Sequence, residues 1–359
     1  ANYVMQKFTR ACIGTNNIDN CARTCHGPSV IGLIDTLGSG AMSVSIPGME
    51  EADCIMLIGY NPAASHPIVA SRIVKARERG AKIIVVDPRV IETARIADIH
   101  LQINNGSNLA FLNAMANVII KEGLEDRAFI DAHTEGFEEW LEVVVRYTPE
   151  YSAEICGVDA DDIREAARIY ATADTAILGW GMGVTQQRQG VHTVHAIASL
   201  ACVAGQIARP HCGVAPVRGQ NNVQGSCDMG MWPSLYPGYQ KVTDPAIREK
   251  FAKAWNLPPE RLSLKEGAKL TDLPHGVKEK KIRAFYNFGE DPLQTEPDSA
   301  DMKETLENID FLISQDIFMT QTTAMADVVL PGTSWGEHEG VFTASDRTFQ
   351  RFTAAVPPK

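Results

Sequence analysis

This sequence of 359 residues lacks the features of several common protein classes. It has no apolar run of about eighteen residues, so we predict no membrane insertion. Its start, ANYVMQKFTR, lacks the apolar core and cleavage pattern of a signal peptide. Basic residues number only 33 against 44 acidic ones, for a net charge of −11. Because such a chain does not attract a phosphate backbone, we predict no nucleic-acid partner.

Several nucleotide and cluster motifs are also missing. The segment GWGMGV is not a dinucleotide fingerprint, because Val184 stands where the third glycine is required. No glycine-lysine-serine/threonine turn follows a strand, and no C-x₂-C-x₃-C run could hold an iron-sulfur cluster. The eight cysteines are scattered, and we expect Cys54 and Cys202, which lie in apolar runs, to fill core positions. A nicotinamide site of the usual Rossmann type is therefore disfavoured.

The apolar pattern that is present predicts an α/β protein. The runs CIMLIG and AKIIVVD flank an amphipathic stretch, HPIVASRIVKARERG, which together indicate a βαβ unit. Continuous apolar strands are typical of a parallel sheet covered on both faces. The later segments NLAFLNAMANVIIK, DADDIREAARIYATAD, TAILGW and VHTVHAIASLACV continue the alternation of helix and strand. Polar turns after the strands should meet at the carboxyl edge of the sheet, where such folds bind ligands.

A chain of this length exceeds one core, so we expect two lobes. A polar, glycine-rich stretch from Arg209 to Gly230 has no periodicity, and we place a loop and a domain boundary there. Beyond it, KIRAFYNFG and FLISQD predict the strands of a second α/β lobe. No repeat at a fixed period is found.

The segment CARTCHGPS is the first candidate for chemistry. Cys25 precedes His26 and a Gly-Pro turn, so its side chain is expected to project into a cleft. A neighbouring imidazolium, or Arg23, would lower the pKa of the thiol and favour the thiolate that binds metals. A chance pair of residues in a loop is the alternative.

Zinc is a second interpretation of the same segment. Cys21, Cys25 and His26 are possible ligands, but a matching second pair is weak. The candidates for it are His192 with His195, which lie on a predicted helix, and the adjacent His211 and Cys212.

The segment VRGQNNVQGSCDMG is the third candidate. Arg218 offers a planar, charged fork that suits a small carboxylate. A solvated surface loop is the alternative for this segment.

Eight motifs follow one another along the chain: CARTCHGPSV, GYNPAASHPIV, DPRVIETARIADIH, GMGVTQ, PVRGQNNVQGSCDMG, YNFGEDPLQT, QDIFMTQTT and PGTSWGEHEGVF. In this order they resemble the motifs of the catalytic subunits of molybdopterin-dependent formate dehydrogenases. The similarity runs from about Asn16 to the last residue.

The resemblance implies a fold of two Rossmann-like parallel-sheet lobes, as in domains 1 to 3 of formate dehydrogenases and DMSO reductase. One lobe would span residues 21–220 and carry the metal cysteine and one pterin nucleotide site. The other would combine residues 1–20 and 221–332 and carry the second pterin nucleotide site. Residues 333–359 would lead to missing C-terminal parts.

The resemblance also implies the reversible oxidation of formate to carbon dioxide. One molybdenum or tungsten ion would lie between two molybdopterin guanine dinucleotides, with Cys25 as its protein ligand. Arg218 would orient formate, and His26 would handle the proton as general acid or base. Similar nitrate reductases have an apolar residue after the metal cysteine, so the pair Cys25 and His26 points to formate.

The family's cofactor positions carry over to this sequence in three groups. One nucleotide would be bound by Asn61, Ser65, Asp87, Arg89, Gly106, Asn108 and the turn from Met182 to Gln186. The second would be bound by Asp291, Thr295, Gln315 and Asp316. Gly219 and Gln220 follow the substrate arginine and complete the predicted site.

The sequence departs from the family at both ends, since the cluster-binding cysteines and the closing barrel domain are missing. We therefore expect an excised central fragment that is inactive by itself, whose parent passes electrons to an iron-sulfur cluster outside this chain and then to an electron-transfer subunit. A cytoplasmic location is expected, although an export signal upstream of Ala1 would change it. Related oxidoreductases of nitrate or another oxyanion, and non-catalytic scaffold relatives, remain the rival interpretations.

Overall fold

The structure is a computed structural model that describes residues 1–358. It divides into two compact units. The larger unit contains Cys25–Gln220 and the short segment Ser345–Thr348. The smaller unit contains Ala1–Thr24, Asn221–Ala344 and the segment from Phe349 onward. Each unit is an α/β structure with its own parallel sheet, so the predicted fold class is confirmed.

The larger unit is built on a parallel sheet of five strands in the order β3-β2-β1-β4-β5. The strands β1 and β4 are buried at every position, which explains why they are continuous apolar runs in the sequence. The five strands are β1 (Cys54–Ile58), β2 (Lys82–Val86), β3 (Ile99–Leu101), β4 (Ala176–Trp180) and β5 (Gly213–Pro216).

Helices cover both faces of this sheet, because alternate side chains of β1 enter two different apolar cores. Cys54 and Met56 lie in one cluster, and Ile55 and Leu57 lie in the other. Cys54 thus fills a core position as predicted, and Cys202, which is partly buried, packs against the edge of the first cluster. The chain begins with α1 (Asn2–Lys7) of the smaller unit, and the helices of the larger unit are α2 (Gly27–Leu37), α3 (Pro62–Ser65), α4 (Pro67–Glu78), α5 (Asn108–Lys121), α6 (Arg127–His133), α7 (Phe137–Val144), α8 (Pro149–Cys156), α9 (Ala160–Thr172), α10 (Met182–Thr185) and α11 (Gly190–Val203).

The predicted loop from Arg209 to Gly230 is wrong in part. Strand β5 lies within it, pairs with β4 and is buried throughout. A short helix, α12 (Val223–Asp228), follows. Elements of four and six residues are too short to show a period, and Gly213 and Pro216 are poor strand formers. The pairing with β4 decides this strand, and the local sequence does not.

The smaller unit contains a parallel sheet of three strands in the order β10-β9-β8, and two antiparallel pairs. Its strands are β6 (Leu235–Tyr236), β7 (Gln240–Lys241), β8 (Ala284–Phe288), β9 (Phe311–Asp316), β10 (Val328–Pro331), β11 (Gly340–Thr343) and β12 (Phe349–Phe352). Its remaining helices are α13 (Pro245–Trp255), α14 (Leu273–Lys278), α15 (Pro292–Thr295), α16 (Ser299–Asn308) and α17 (Gln321–Ala324).

A buried arginine organises the amino-terminal part of the smaller unit. Arg10 is 1% exposed and donates hydrogen bonds to the carbonyls of Gly230, Trp232 and Leu235, at 3.0, 2.6 and 2.8 Å. Burial lowers its pKa to about 10, so the guanidinium stays charged at neutral pH. The charge is held by backbone and amide oxygens, which makes Arg10 a structural residue.

The same strand-turn-helix motif occurs once in each sheet, although the sequence has no repeat at a fixed period. After β1, the amide of Gly59 donates to the carbonyl of Val86 at 2.9 Å. After β8, the amide of Gly289 donates to the carbonyl of Gln315 at the same distance. Each glycine is followed, two residues on, by an Asn or Asp that precedes Pro and a helix of four residues. The two copies of the motif have only a few identical residues, so they resemble each other in backbone conformation more than in sequence.

No helix among residues 1–358 combines the length and the apolar character that crossing a membrane requires.

Candidate functional site

Cys25 and His26 lie immediately before α2, and both are buried. Cys25 is 3% exposed and His26 is 1% exposed. His26 caps the helix, and Pro28 occupies its first turn, where the missing amide hydrogen costs nothing. The backbone at this point is therefore fixed by the helix start, which places both side chains inside the protein.

The imidazole of His26 contacts the buried Ser29, which is in turn hydrogen-bonded to the buried Trp180. Its Nδ1 lies 3.0 Å from the hydroxyl oxygen of Ser29, one turn along α2. Trp180, the last residue of β4, donates its indole N–H to the same oxygen at 2.9 Å. Ser29 and Trp180 are both fully buried. The ring orientation of His26 thus depends on a helix and a strand that are far apart in sequence.

His26 is neutral in this environment. Burial lowers its pKa to about 3, the charges of Arg218 and His66 add to the effect, and the backbone of Val217 opposes it. The expectation that an imidazolium activates Cys25 is therefore wrong, because a cation beside Arg218 in a buried place is disfavoured. Arg23, the other predicted activator, is committed to an ion pair with Asp19 at 2.7 Å.

Arg218 is buried, so the surface-loop alternative is wrong for this residue. It lies two residues after β5 and is 3% exposed. One guanidinium nitrogen donates to the carbonyl of Gly40 at 2.8 Å, and the backbone amide donates to the hydroxyl of Ser345 at 3.0 Å. Gly219 and Gln220, the next two residues, are exposed.

His66 is a neighbour of Arg218 that the sequence prediction missed. Its Nε2 donates to the carbonyl of Arg218 at 2.7 Å, and its Nδ1 lies 3.0 Å from the hydroxyl of Ser65. Burial is the main cause that lowers the pKa of His66. The sequence signal was a histidine in the turn after β1, directly before the proline that starts α4. His66 thus fixes the backbone that carries Arg218.

A cavity of about 230 Å³ opens at the carboxyl edge of the larger sheet. Asn61, Asp87, Arg89, Gly106 and Asn108, all predicted to bind a nucleotide, line it. The predicted turn from Met182 to Gln186 contributes Gly183. The remaining lining residues were not predicted: Gly59, Val86, Pro88, Ile103, Asn104, Asn105 and Gln187.

Local hydrogen bonds give the cavity wall its shape. The carboxylate of Asp87 accepts from the backbone amide of Arg89 at 2.9 Å, which turns the chain after β2. Asn108 is the first residue of α5 and donates to the carbonyl of Gly183 at 3.2 Å. The wall thus combines side-chain amides, a carboxylate, a guanidinium and the start of a helix of 14 residues.

Two glycines in backbone contact form part of the cavity lining. Gly59 has a φ angle of +55°, and a Cβ placed there would lie 2.7 Å from a backbone atom of Gly183. A Cβ on Gly183 would lie 2.6 Å from the Cα of Gly59. The amide of Gly183 donates to the carbonyl of Gly59 at 3.1 Å. The turn after β1 and helix α10 can approach this closely only because neither glycine has a side chain.

Several predicted residues do not line this cavity. Ser65 is exposed and donates to the carbonyl of Asn61 at 2.8 Å, so it supports the wall from outside. Met182 and Gln186 are exposed in and after α10. Gly219 and Gln220 lie in the segment after Arg218 and are also absent from the lining.

In the smaller unit, the four predicted residues gather at the carboxyl ends of β8 and β9. Asp291 accepts from the backbone amide and hydroxyl of Thr322 at 3.0 and 2.6 Å. Burial would raise the pKa of Asp291, but these bonds and that from Gln294 outweigh it and lower the pKa. Thr295 donates to the carbonyl of Asp291 at 3.3 Å.

Gln315 and Asp316 at the end of β9 also bond within the smaller unit. Gln315 accepts from the Tyr286 hydroxyl at 2.6 Å, and Asp316 accepts from the amide of Phe318 at 3.0 Å. All four predicted residues therefore form hydrogen bonds with other residues of the smaller unit.

Among residues 1–358, no group of three or more His, Cys, Asp or Glu side chains could hold a metal ion. The zinc ligands considered from the sequence therefore do not come together. His195 instead lies 3.4 Å from a carboxylate oxygen of Asp35, and Nδ1 of His211 lies 3.3 Å from the carbonyl of Gly48. A metal bound by a single cysteine would need its other ligands from a cofactor.

The donor set of the larger unit fits a pterin nucleotide. The cavity presents amides, a guanidinium and glycine backbone, which are suited to phosphate and purine groups. Nε2 of the buried His26 has no hydrogen-bond partner, which is the state expected of a group that faces a ligand.

Comparison with known proteins gives one family. The family model "Molybdopterin oxidoreductase" matches residues 1–359. Formate dehydrogenase H of Escherichia coli (strain K12) is 58% identical over 358 residues, which cover 100% of this chain and 50% of that protein. The F420-dependent formate dehydrogenase subunit alpha of Methanocaldococcus jannaschii is 47% identical and is covered to 52%. The chain thus spans about half the length of these curated relatives.

A solved structure supports the fold. Acetylene hydratase from Pelobacter acetylenicus matches 100% of this chain and 51% of its own, with a TM-score of 0.78 and 24% sequence identity. At this identity the likeness concerns the architecture alone.

Proposed function

Because the chain belongs to the molybdopterin oxidoreductase family, we propose that it is the central part of a formate dehydrogenase, which oxidises formate to carbon dioxide reversibly. Two relatives of 58% and 47% identity carry that activity in their names. The order of motifs from the segment of Cys25 to the segment of Arg218 supports the same proposal.

The observation that carries the proposal is that Cys25, His26 and Arg218 are all buried and that the charge of Arg218 acts on His26. Arg218 holds a positive charge inside the protein, and His26 beside it is neutral. The guanidinium is therefore the cation that attracts an anion to this place. A small carboxylate matches the fork of Arg218, because two parallel N–H groups face two oxygens.

The residues around Cys25 would hold the cofactor in a defined way. Cys25 would bind molybdenum or tungsten as a thiolate, the residues of the cavity would bind one molybdopterin guanine dinucleotide, and the loop of Asp291 would bind the second. When bound, this group would supply an acceptor for the two electrons that formate loses, and an iron-sulfur cluster outside this chain would receive them. An electron-transfer subunit and a cytoplasmic location complete the proposal.

The protein's own side chains then have separate roles. Arg218 binds the carboxylate and fixes its orientation, and the backbone bond from His66 keeps Arg218 in place. Nε2 of His26, its unpartnered ring nitrogen, would face the substrate. Burial excludes water, which strengthens the attraction between the guanidinium and the carboxylate.

The proposal is tested by anaerobic expression of the full-length gene that encodes this chain. We expect formate-dependent reduction of an artificial electron dye, and bound molybdenum or tungsten. Cys25→Ala should lower the rate by at least about a thousandfold, because it removes the metal ligand. Cys12→Ala changes an exposed cysteine and should leave the rate unchanged.

Three results would overturn the proposal. Equal rates for the wild type and Cys25→Ala would refute the role of the thiolate. Nitrate reduction without formate oxidation would assign the protein to another oxyanion. Iron without molybdenum or tungsten would indicate a scaffold.

A further inference from the structure

The hydrogen bonds around Ser29 determine which nitrogen of His26 carries hydrogen. Ser29 contacts two groups, Nε1 of Trp180 at 2.9 Å and Nδ1 of His26 at 3.0 Å. An indole N–H can only donate, so the oxygen of Ser29 accepts from Trp180. The hydroxyl of Ser29 then has one hydrogen to donate, and Nδ1 of His26 is the acceptor within reach.

The alternative arrangement leaves more groups unpaired. If Nδ1 carried a hydrogen, it would donate to Ser29, and the Ser29 hydroxyl hydrogen would have no acceptor in a place that is 0% exposed. Hydrogen on Nδ1 thus leaves two buried groups unpaired, the Ser29 hydroxyl hydrogen and Nε2, whereas hydrogen on Nε2 leaves only that one hydrogen without a partner in the protein. Each unpaired buried polar group is costly. The same objection applies to a ring that carries hydrogen on both nitrogens.

We propose that Ser29 and Trp180 are positioning residues that fix hydrogen on Nε2 of His26, so that His26 meets the substrate as a hydrogen-bond donor. Nε2 is buried and makes no hydrogen bond, and Arg218 lies close enough for its charge to act on the same ring. Arg218 and His26 then present donors only. Such a pair recognises an anion through its acceptor oxygens, and it does not remove a proton from a neutral ligand.

The identity of the substrate, a carboxylate, rests on the proposed function. The position of hydrogen on the ring of His26 does not. It narrows the role of His26 from acid or base to donor, because a nitrogen that already bears hydrogen cannot accept another. It also predicts that two residues which touch no substrate affect its binding.

The direct test is nitrogen NMR of the 359-residue chain labelled with ¹⁵N in its histidine rings. The signals of His26 are assigned by their loss in His26→Gln. We expect Nε2 to resonate as a protonated nitrogen and Nδ1 as an unprotonated nitrogen that accepts a hydrogen bond. Protonated Nδ1 in the wild type would overturn the proposal, whatever the reaction of the complete enzyme.

Two variants and two controls separate this role from simple packing. Ser29→Ala should shift Nδ1 to the position of an unbonded nitrogen, and Trp180→Phe should mix the two ring forms, because Ser29 is then free to accept from His26. Ser152→Ala removes a hydroxyl that is equally buried but has no partner, and Trp140→Phe repeats the aromatic change at a distant helix. Both controls should leave the His26 signals unchanged. Unchanged signals in Ser29→Ala would also overturn the proposal.

The complete enzyme provides a second measurement. Ser29→Ala should lower kcat/KM for formate by about tenfold, the effect of one hydrogen bond, while Ser152→Ala should not change it. If the enzyme does not oxidise formate at all, the proposed function fails, and the NMR result still decides the hydrogen position. If formate oxidation is unaffected by Ser29→Ala, the positioning role fails and the proposed function stands.

Discussion

The turn after β1 in the larger unit and the turn after β8 in the smaller unit have the same backbone plan and different surroundings. Both begin with a glycine at positive φ and continue to a residue before proline. After β1, Gly59 packs against the backbone of Gly183 and borders a cavity. After β8, a Cβ on Gly289 would meet nothing within 4 Å, while Asp291 bonds across to Thr322. The same backbone conformation thus borders a cavity in the larger unit, whereas in the smaller unit it forms a turn held by the hydrogen bond from Thr322 to Asp291.

The strands behind the two turns explain the difference. Every residue of β1 is buried between two helical layers, whereas only one residue of β8 is buried and β10 is exposed throughout. A strand covered on both faces fixes its end precisely, so two glycines can be held in contact. A strand with an exposed face leaves its turn to be stabilised by local hydrogen bonds. The comparison indicates that burial of the sheet, more than the turn sequence, prepares a cavity.

The largest effect should come from Gly59→Ala. The new methyl group would clash with the backbone of Gly183, and the positive φ adds strain, for a loss of about 3 kcal/mol in the free energy of unfolding. Gly289→Ala is the matched control, and it should cost about 1 kcal/mol because only the strain applies. Hydrogen exchange with mass spectrometry reports each unit separately. Equal losses at the two positions would remove the distinction between the turns.

The second-largest loss of stability is expected from a substitution in the turn of the smaller unit. Asp291→Ala removes the acceptor of two bonds from Thr322 and should cost about 2 kcal/mol. Asn61→Ala loses a long bond of 3.4 Å from Ala64 and an exposed bond of 3.2 Å to Glu92, and should cost about 0.5 kcal/mol. Thr322→Val in a double-mutant cycle with Asp291→Ala isolates the shared bond. A greater loss for Asn61→Ala than for Asp291→Ala would contradict the idea that the smaller unit's turn is the more strongly bonded of the two.

Nucleotide binding should depend on the turn of the larger unit, because that turn borders the cavity. We expect GDP to bind the cavity of the larger unit, and Arg89→Ala to raise the Kd by about tenfold through loss of a charged contact. Arg95→Ala, an exposed arginine outside the lining, is the control. Titration calorimetry measures both. Binding that is insensitive to Arg89 would move the nucleotide away from this cavity.

The smallest effect concerns a carboxyl group beside Asp291. Burial raises the pKa of Glu290, Thr295 opposes this, and Asp19 adds to it. A raised pKa in the folded state means that ionised Glu290 destabilises the fold. This cost is absent below the unfolded pKa of about 4.3 and complete above the folded pKa.

Glu290→Gln should therefore raise the free energy of unfolding near about pH 7 and leave it unchanged near about pH 4. Glu260→Gln, at an exposed position, should show neither change. Urea unfolding at both pH values measures this. If Glu290→Gln raised the free energy of unfolding near about pH 4 and not near about pH 7, the pKa of Glu290 would be lowered by folding and not raised.

Much of the fold could be predicted because its signals are local. Strands β1, β2 and β4 are continuous apolar runs, and helices such as α5 and α9 have a clear period, so each element follows from neighbours in the chain. Strand β5 could not be predicted in this way, since four residues with glycine and proline at the ends become a strand only beside β4. The repeated turn was missed because it preserves backbone geometry and few side chains.

The sequence by itself determined the α/β class, the family and the residues from which a site would be built, because motifs and periods are properties of contiguous segments. Only the tertiary structure decided that Arg218 is buried, that His26 is neutral and that Gly59 meets Gly183. Each of these facts depends on residues distant in sequence: Gly40 and Ser345 for Arg218, Trp180 for His26. Burial and charge are set by all neighbours in space, and the chain order does not record them.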